Sequence, residues 1–210
     1  MIRVVIADDH ELIREGIKKI IRSSKDMTIV GEAGDIAQAI ELVAQRTPDI
    51  VVLDISLPGH DGLEGLAEVR RRFPGLPVLI LSMYPEERYA VRALKAGASG
   101  YITKAMAAEE LLKAIRKIMT GGTYLSPRVA ELLALDVREP KRASLHESLT
   151  DRELQIVSLI GEGKQVKQIA ADLEISISSV NTYRARIFKK MGLSSNAALI
   201  RYAVEHGLVE

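Results

Sequence analysis

Five short runs rich in Val and Ile, at residues 2–7, 28–33, 50–53, 78–81 and 100–102, alternate with amphipathic stretches near 11–24, 36–46, 63–73, 86–96 and 107–120. Each run is too short for a helix and too continuously apolar for a strand with one wet face, so it reads as a strand buried on both sides. In the last amphipathic stretch Leu111, Leu112, Ile115 and Ile118 recur at helical spacing, with Lys113, Arg116 and Lys117 on the other side. Five β-α units in series predict a doubly wound, five-stranded parallel sheet. Sheets of that kind hold their ligands outside the carboxyl ends of the strands.

The alternation stops at Gly121-Gly122. Ser126-Pro127 then opens a short helix with Val129, Leu132 and Leu133 on one side. Residues 136–148 lack periodicity and carry Pro140, so they read as a connection. From Leu149 onward the pattern is helical. The chain thus divides into an α/β domain over 1–122, a linker with a short helix over 123–148, and a small all-α domain over 149–210. It has no Cys, which excludes disulfides and thiolate metal sites and fits a reducing compartment. No apolar run approaches the ~20 residues of a membrane span. Asp8, Asp9 and Glu11 stand where a signal peptide would be apolar, and the chain reads as cytoplasmic with no membrane partner.

Asp8 and Asp9 follow the first strand, Asp54 ends the third, Ser82 ends the fourth and Lys104 follows the fifth. The fold reading brings all of them to one crevice. Three converging carboxylates repel one another and call for a cation, and oxygen-only ligands suit Mg2+. A carboxylate also serves as a nucleophile toward a phosphoryl group. Lys104 would supply a second positive charge, and Ser82 a hydrogen bond to a phosphoryl oxygen. His10 reads as a surface or capping residue, because the four histidines show no ligand spacing.

These residues resemble the receiver domain of two-component response regulators. The resemblance covers 1–122 and rests on Val-Val-Ile-Ala-Asp8-Asp9-His10, Leu53-Asp54-Ile-Ser-Leu-Pro58-Gly-His-Asp-Gly62, Leu81-Ser82 and Ala96-Gly97-Ala-Ser-Gly-Tyr101-Ile-Thr-Lys104. It implies a flavodoxin-like fold with Asp54 as phosphoacceptor. Asp8, Asp9 and Asp54 would hold Mg2+ together with the Ser56 carbonyl. Ser82 and Tyr101 would form a switch pair, Tyr101 turning inward as Ser82 moves toward the phosphoryl oxygens. Lys104 would contact the phosphate, and Pro58 and Gly62 would shape the loop after Asp54. Ala105 departs from the family, which usually has Pro after the lysine, often behind a cis bond.

In the C-terminal domain Thr150 with Glu153 forms a capping box for a helix that Gly161 and Gly163 end. A second helix over Lys167–Leu173, a short turn at Glu174-Ile175 and a third helix capped by Ser176 fit a helix-turn-helix. On a helical wheel Val180, Ile187 and Met191 share the core side, with Arg184 toward it. Ser178, Thr182, Ala185 and Lys189 lie opposite, flanked by Asn181 and Arg186. Between Ser176 and Met191 there are four basic residues and no acid. A net charge of +1 is too small to indicate a polyanion by itself, so the case for DNA rests on this local face. Residues 149–210 resemble the LuxR-type helix-turn-helix through Leu-Thr-Asp-Arg-Glu153, Lys167-Gln-Ile-Ala170, Val180-Asn-Thr-Tyr-Arg184 and Lys189-Lys190-Met-Gly-Leu193. The whole chain resembles the NarL/FixJ class, closest to the GacA/UvrY group. That implies base contacts from Asn181 and Thr182, and phosphate or guanine contacts from Lys167, Arg186 and Lys189. It also implies a homodimer on double-stranded DNA supported by the last helix, 195–206, whose Leu199, Tyr202 and Ala203 equally fit plain core. Glu174 stands where Gly is frequent in the family.

The resemblance therefore implies a regulator rather than an enzyme: a sensor histidine kinase phosphorylates Asp54, and the modification controls DNA binding, dimerisation and transcription. A phosphatase or nucleotide-binding enzyme on the same fold is a second reading. It would want a Gly-rich loop after the first strand or an acid two residues past the nucleophile, where the chain has Asp8-Asp9-His10-Glu11 and Ser56. A constitutive DNA binder with an inert acidic pocket is a third.

Overall fold

The computed structural model describes residues 1–57, 63–138 and 145–209. The chain forms two compact units, Met1–Pro140 and Lys141–Glu210. In the first, strands β1 (Ile2–Ala7), β2 (Met27–Ala33), β3 (Ile50–Asp54), β4 (Val78–Ser82) and β5 (Gly100–Thr103) make one parallel sheet in the order β2-β1-β3-β4-β5. Every apolar run of the sequence is a strand, lengthened at most by a residue or so. Helices α1 (Glu11–Arg22), α2 (Ile36–Arg46), α3 (Glu64–Arg72), α4 (Glu86–Lys95) and α5 (Ala107–Met119) alternate with the strands. The doubly wound reading is borne out.

Burial explains the pattern. Strands β3 and β4 are buried at every residue, as two covered faces require. One core joins Val4, Ile6, Val52, Leu79 and Leu81 of the sheet to Ile17 and Ile21 of α1 and Leu111, Ile115 and Ile118 of α5. The helical spacing of Leu111, Ile115 and Ile118 thus places them as read. Leu112 is only partly buried at its edge.

Helix α6 (Pro127–Arg138) closes the first unit and packs on α4, with Val129 buried. Residues 139–144 of the connection, and Pro58 and Gly62 of the loop after Asp54, lie outside the described residues.

The second unit holds α7 (Asp151–Gly161), α8 (Val166–Asp172), α9 (Ile177–Met191) and α10 (Asn196–Glu205). The capping box is present: Glu153 N–H donates to Thr150 Oγ1 at 3.3 Å, and Thr150 N–H donates to Glu153 Oε2 at 2.8 Å. Ser176 caps α9 by accepting from Ser179 N–H at 3.0 Å. No helix among the described residues is long and apolar enough to cross a membrane.

The turn between α8 and α9 holds Glu174 at φ 50°, in the left-handed region. A side chain there costs ~1–2 kcal/mol relative to glycine, partly offset by glycine's looser unfolded chain. Glu174→Gly is therefore expected to stabilise the second unit by ~0.5–1 kcal/mol in urea unfolding. A loss of stability would mean that the Glu174 side chain makes compensating contacts.

Candidate functional site

The parallel register sets the first site. Asp54 of β3 pairs with Leu81 and Ser82 of β4 pairs with Thr103, so the carboxyl ends of three strands finish side by side. Asp8 emerges beyond β1, where its N–H donates to Ala33 O at 3.1 Å. Lys104 follows β5 and reaches back across the sheet mouth. Its Nζ lies 2.7 Å from Asp8 Oδ2 and 2.8 Å from Asp54 Oδ2. The three side chains are 4 %, 1 % and 1 % exposed.

Charges this dry must be paired. Burial pushes the Asp54 carboxyl above the ordinary range and outweighs the pull of Lys104. Burial pushes the Lys104 ammonium down, but Asp54 and Asp8 outweigh it and hold it above its ordinary value. The remaining oxygens are partly used. Asp54 Oδ1 accepts from Ser56 N–H at 3.1 Å, and Asp8 Oδ1 from His10 N–H at 2.9 Å. Three carboxylates answered by one ammonium leave two negative charges in excess.

Ala105 does not cost Lys104 its reach. No cis peptide bond occurs among the described residues, and a single turn of 3-10 helix over Lys104–Met106 leads directly into α5. His10 lies at the surface, as the sequence reads it, with its side chain 60 % exposed. It precedes α1 without a side-chain cap bond, and its Nδ1 lies 2.7 Å from Asp9 Oδ1. Ligand atoms of Asp8, Asp9, His10 and Asp54 all fall within 4.8 Å of one another.

Ser82 and Tyr101 are brought together through a third residue. Ser82 Oγ accepts from Tyr84 N–H at 3.1 Å, and the Tyr101 hydroxyl donates to Tyr84 O at 2.8 Å. Both side chains are buried, so Tyr101 already faces inward and what it holds is the loop before α4.

In the second unit α9 divides as the wheel assigned. Val180, Ile187 and Met191 are buried, and Arg184 is half-buried. Ser178, Asn181, Thr182, Ala185, Arg186 and Lys189 are exposed, as is Lys167 on α8. The Thr182 hydroxyl donates to Ser178 O at 3.0 Å. Lys190 stands apart from the other cations of α9. Its Nζ lies 2.6 Å from Glu153 Oε2, on a carboxylate 2 % exposed that also closes the capping box. Lys190→Ala strands that carboxylate and is expected to cost ~1–3 kcal/mol of stability, read as a lower urea midpoint. An unchanged midpoint would mean that Glu153 is held by its backbone bonds alone. On α10, Leu199 and Ala203 are core, while Ala197, Arg201 and Val204 form an exposed stripe.

Comparison with known proteins meets this geometry at both sites. The signature of the response regulator receiver domain matches residues 4–116, and that of bacterial regulatory proteins of the luxR family matches residues 147–203. The chain is 36% identical over 211 residues to the response regulator GacA of Pseudomonas aeruginosa, covering 100% of this chain and 99% of that one. It is 35% identical over 209 residues to the response regulator UvrY of Escherichia coli, covering 99% and 96%. A structure of RcsB from Salmonella enterica serovar Typhimurium, bound to a promoter in the presence of the phosphomimetic BeF3−, superposes with a TM-score of 0.60. It shares 26% identity and covers 96% of this chain and 97% of that one.

Proposed function

The chain belongs to the response regulators that join a receiver domain to a LuxR-type DNA-binding domain and regulate transcription, and on that premise we propose that Asp54 is its phosphoacceptor and α9 its base-reading helix. One observation carries the first half: a buried lysine within 2.8 Å of Asp54 and 2.7 Å of Asp8 at the mouth of a parallel sheet. An Asp54 oxygen attacks phosphorus, forming an O–P bond. The bond to the donor breaks, and the departing imidazole of a sensor histidine kinase, or acetate from acetyl phosphate, keeps the electron pair. Lys104, shared between Asp8 and Asp54, turns to the incoming phosphoryl oxygens, and Ser82 turns its hydroxyl toward them.

The excess of two negative charges and an all-oxygen set from Asp8, Asp9 and Asp54 fit Mg2+, with the Ser56 carbonyl as a further ligand. When bound, the ion offsets charge on the transferred group. Asp8 and Asp9 would hold it, and Asp54 would stay ionised beside it.

The groove-facing set is Lys167, Ser178, Asn181, Thr182, Arg186 and Lys189. The RcsB structure bound to a promoter supports DNA binding by a chain of this kind, and a homodimer through α10 would use the stripe of Ala197, Arg201 and Val204. The partners, then, are a sensor histidine kinase and double-stranded DNA, met in the cytoplasm.

Footprinting with and without acetyl phosphate and Mg2+ tests the whole scheme. Labelling is expected to tighten DNA binding at least about fivefold. Protection should fall on half-sites about 10 bp apart. Identical footprints from labelled and unlabelled protein would leave a constitutive binder.

A further inference from the structure

After α5 the chain doubles back along the open edge of the sheet. Tyr124 makes a parallel bridge with Gly100 of β5, and its N–H donates to Ser99 O at 2.9 Å. A Cβ on residue 100 would stand 3.0 Å from the Tyr124 Cβ, so glycine permits this approach. The Tyr124 hydroxyl donates to Glu110 of α5 at 2.5 Å. Helix α6 then runs beside α4 in register. Arg128 pairs with Glu87 at 3.0 Å near their starts, and Asp136 with Lys95 at 2.7 Å near their ends. Both pairs span 41 residues, which makes the two helices parallel.

Parallel neighbours bring two positive N-termini together, and an anion between them is stabilising. Glu86, the first residue of α4, occupies that place. Its Oε2 accepts at 2.5 Å from the hydroxyl of Ser126, which in turn caps α6 by accepting from Val129 N–H at 3.2 Å. Glu86 is 7 % exposed and Ser126 4 %. The other carboxylate oxygen, Oε1, is buried without a hydrogen-bond partner among the described residues. A half-satisfied buried carboxylate is held only narrowly in place. The two flanking ion pairs are largely exposed and contribute little. Glu86 is thus the buried polar contact between α4 and α6, beside the apolar packing of Val129.

We propose that Glu86 and Ser126 form a latch through which the phosphorylation state of the pocket sets the attachment of α6, the last helix before the chain passes to its DNA-binding unit. The reading rests on Asp54 as phosphoacceptor. Ser82 and Tyr101 both hold the backbone of Tyr84, two residues before Glu86. When the Ser82 hydroxyl turns to a phosphoryl oxygen, Tyr84 loses that hold on its backbone N–H. The first turn of α4 shifts, and Glu86 leaves Ser126.

Hydrogen exchange across 127–138 in the full chain tests this. In the natural sequence, labelling with acetyl phosphate and Mg2+ is expected to speed exchange there at least about fivefold. In Ser126→Ala exchange is already fast and labelling adds nothing, whereas Ser126→Thr keeps the hydroxyl and responds like the natural chain. Glu86→Ala, which leaves the α6 cap intact, behaves like Ser126→Ala and so separates latch from cap. A chain shown by mass to carry the phosphoryl group, with protection over 127–138 unmoved, overturns the latch alone. So does a Glu86→Ala chain that responds like the natural one. A natural chain that takes no label overturns the Asp54 reading, and the latch with it.

Discussion

Asp54→Asn takes no label from acetyl phosphate and Mg2+ under conditions that label the natural chain fully, as read by intact mass. The amide offers no anionic oxygen to phosphorus, and in the proposed scheme Asp8 and Asp9 are committed to the metal rather than to the phosphoryl group. The same substitution makes a thermodynamic prediction of its own. Burial raises Asp54 above its unfolded value, so the folded chain keeps that proton to a higher pH than the unfolded chain does. The ionised form therefore costs stability. The cost is absent below the unfolded pKa and fully present once pH has risen past the raised folded pKa. The amide removes it, while Lys104 retains Asp8 at 2.7 Å. Near neutral pH the Asp54→Asn chain is expected to unfold at or above the temperature of the natural chain, and its advantage shrinks as the solution is acidified. Retained labelling would point to a second acceptor. Destabilisation that grows toward neutral pH would mean that the Lys104–Asp54 pair outweighs burial.

That prediction could be framed because the pocket was legible in the chain. A parallel sheet announces itself by runs such as 50–53 and 78–81, and the residue ending each run is carried to the sheet mouth by the pleat alone. Asp54, Ser82 and Lys104 were thus placed by counting from their strands. The faces of α9 were legible for the same reason, since a period of 3.6 fixes which residues Val180, Ile187 and Met191 leave outside. What escaped were contacts that no local period encodes. Lys190 reads only as one of four basic residues on α9, because its partner Glu153 lies 37 residues away on α7. Glu86 and Ser126 are 40 residues apart and look like an ordinary helix start and an ordinary cap. His10 reads as a surface residue and is one, but its contact with Asp9 depends on how one loop closes. Pairings across elements follow from the packing of helices, and packing is settled by shapes that a single sequence displays only in part.

The distinction between Lys190 and its neighbours yields the second large effect. Arg186 and Lys189 are exposed on the face opposite the core, with no acid between 176 and 191 to neutralise them. If α9 lies in a major groove, each displaces counterions from a phosphate, and removing it lowers the slope of log affinity against log salt by ~0.9. Arg186→Ala combined with Lys189→Ala is therefore expected to flatten that slope by ~1.8 and to weaken binding to every DNA sequence about tenfold or more at low salt. Asn181→Ala should behave differently. A lost base contact costs ~1–3 kcal/mol at its own site and leaves the salt slope unchanged. Lys190→Ala, whose ammonium is committed to Glu153, should also leave the slope unchanged while lowering stability. These three signatures separate a groove-facing helix from a merely solvated basic one. A solvated face would give small, sequence-blind losses in all three variants, and a slope that did not move for Arg186 and Lys189 would take α9 out of the groove.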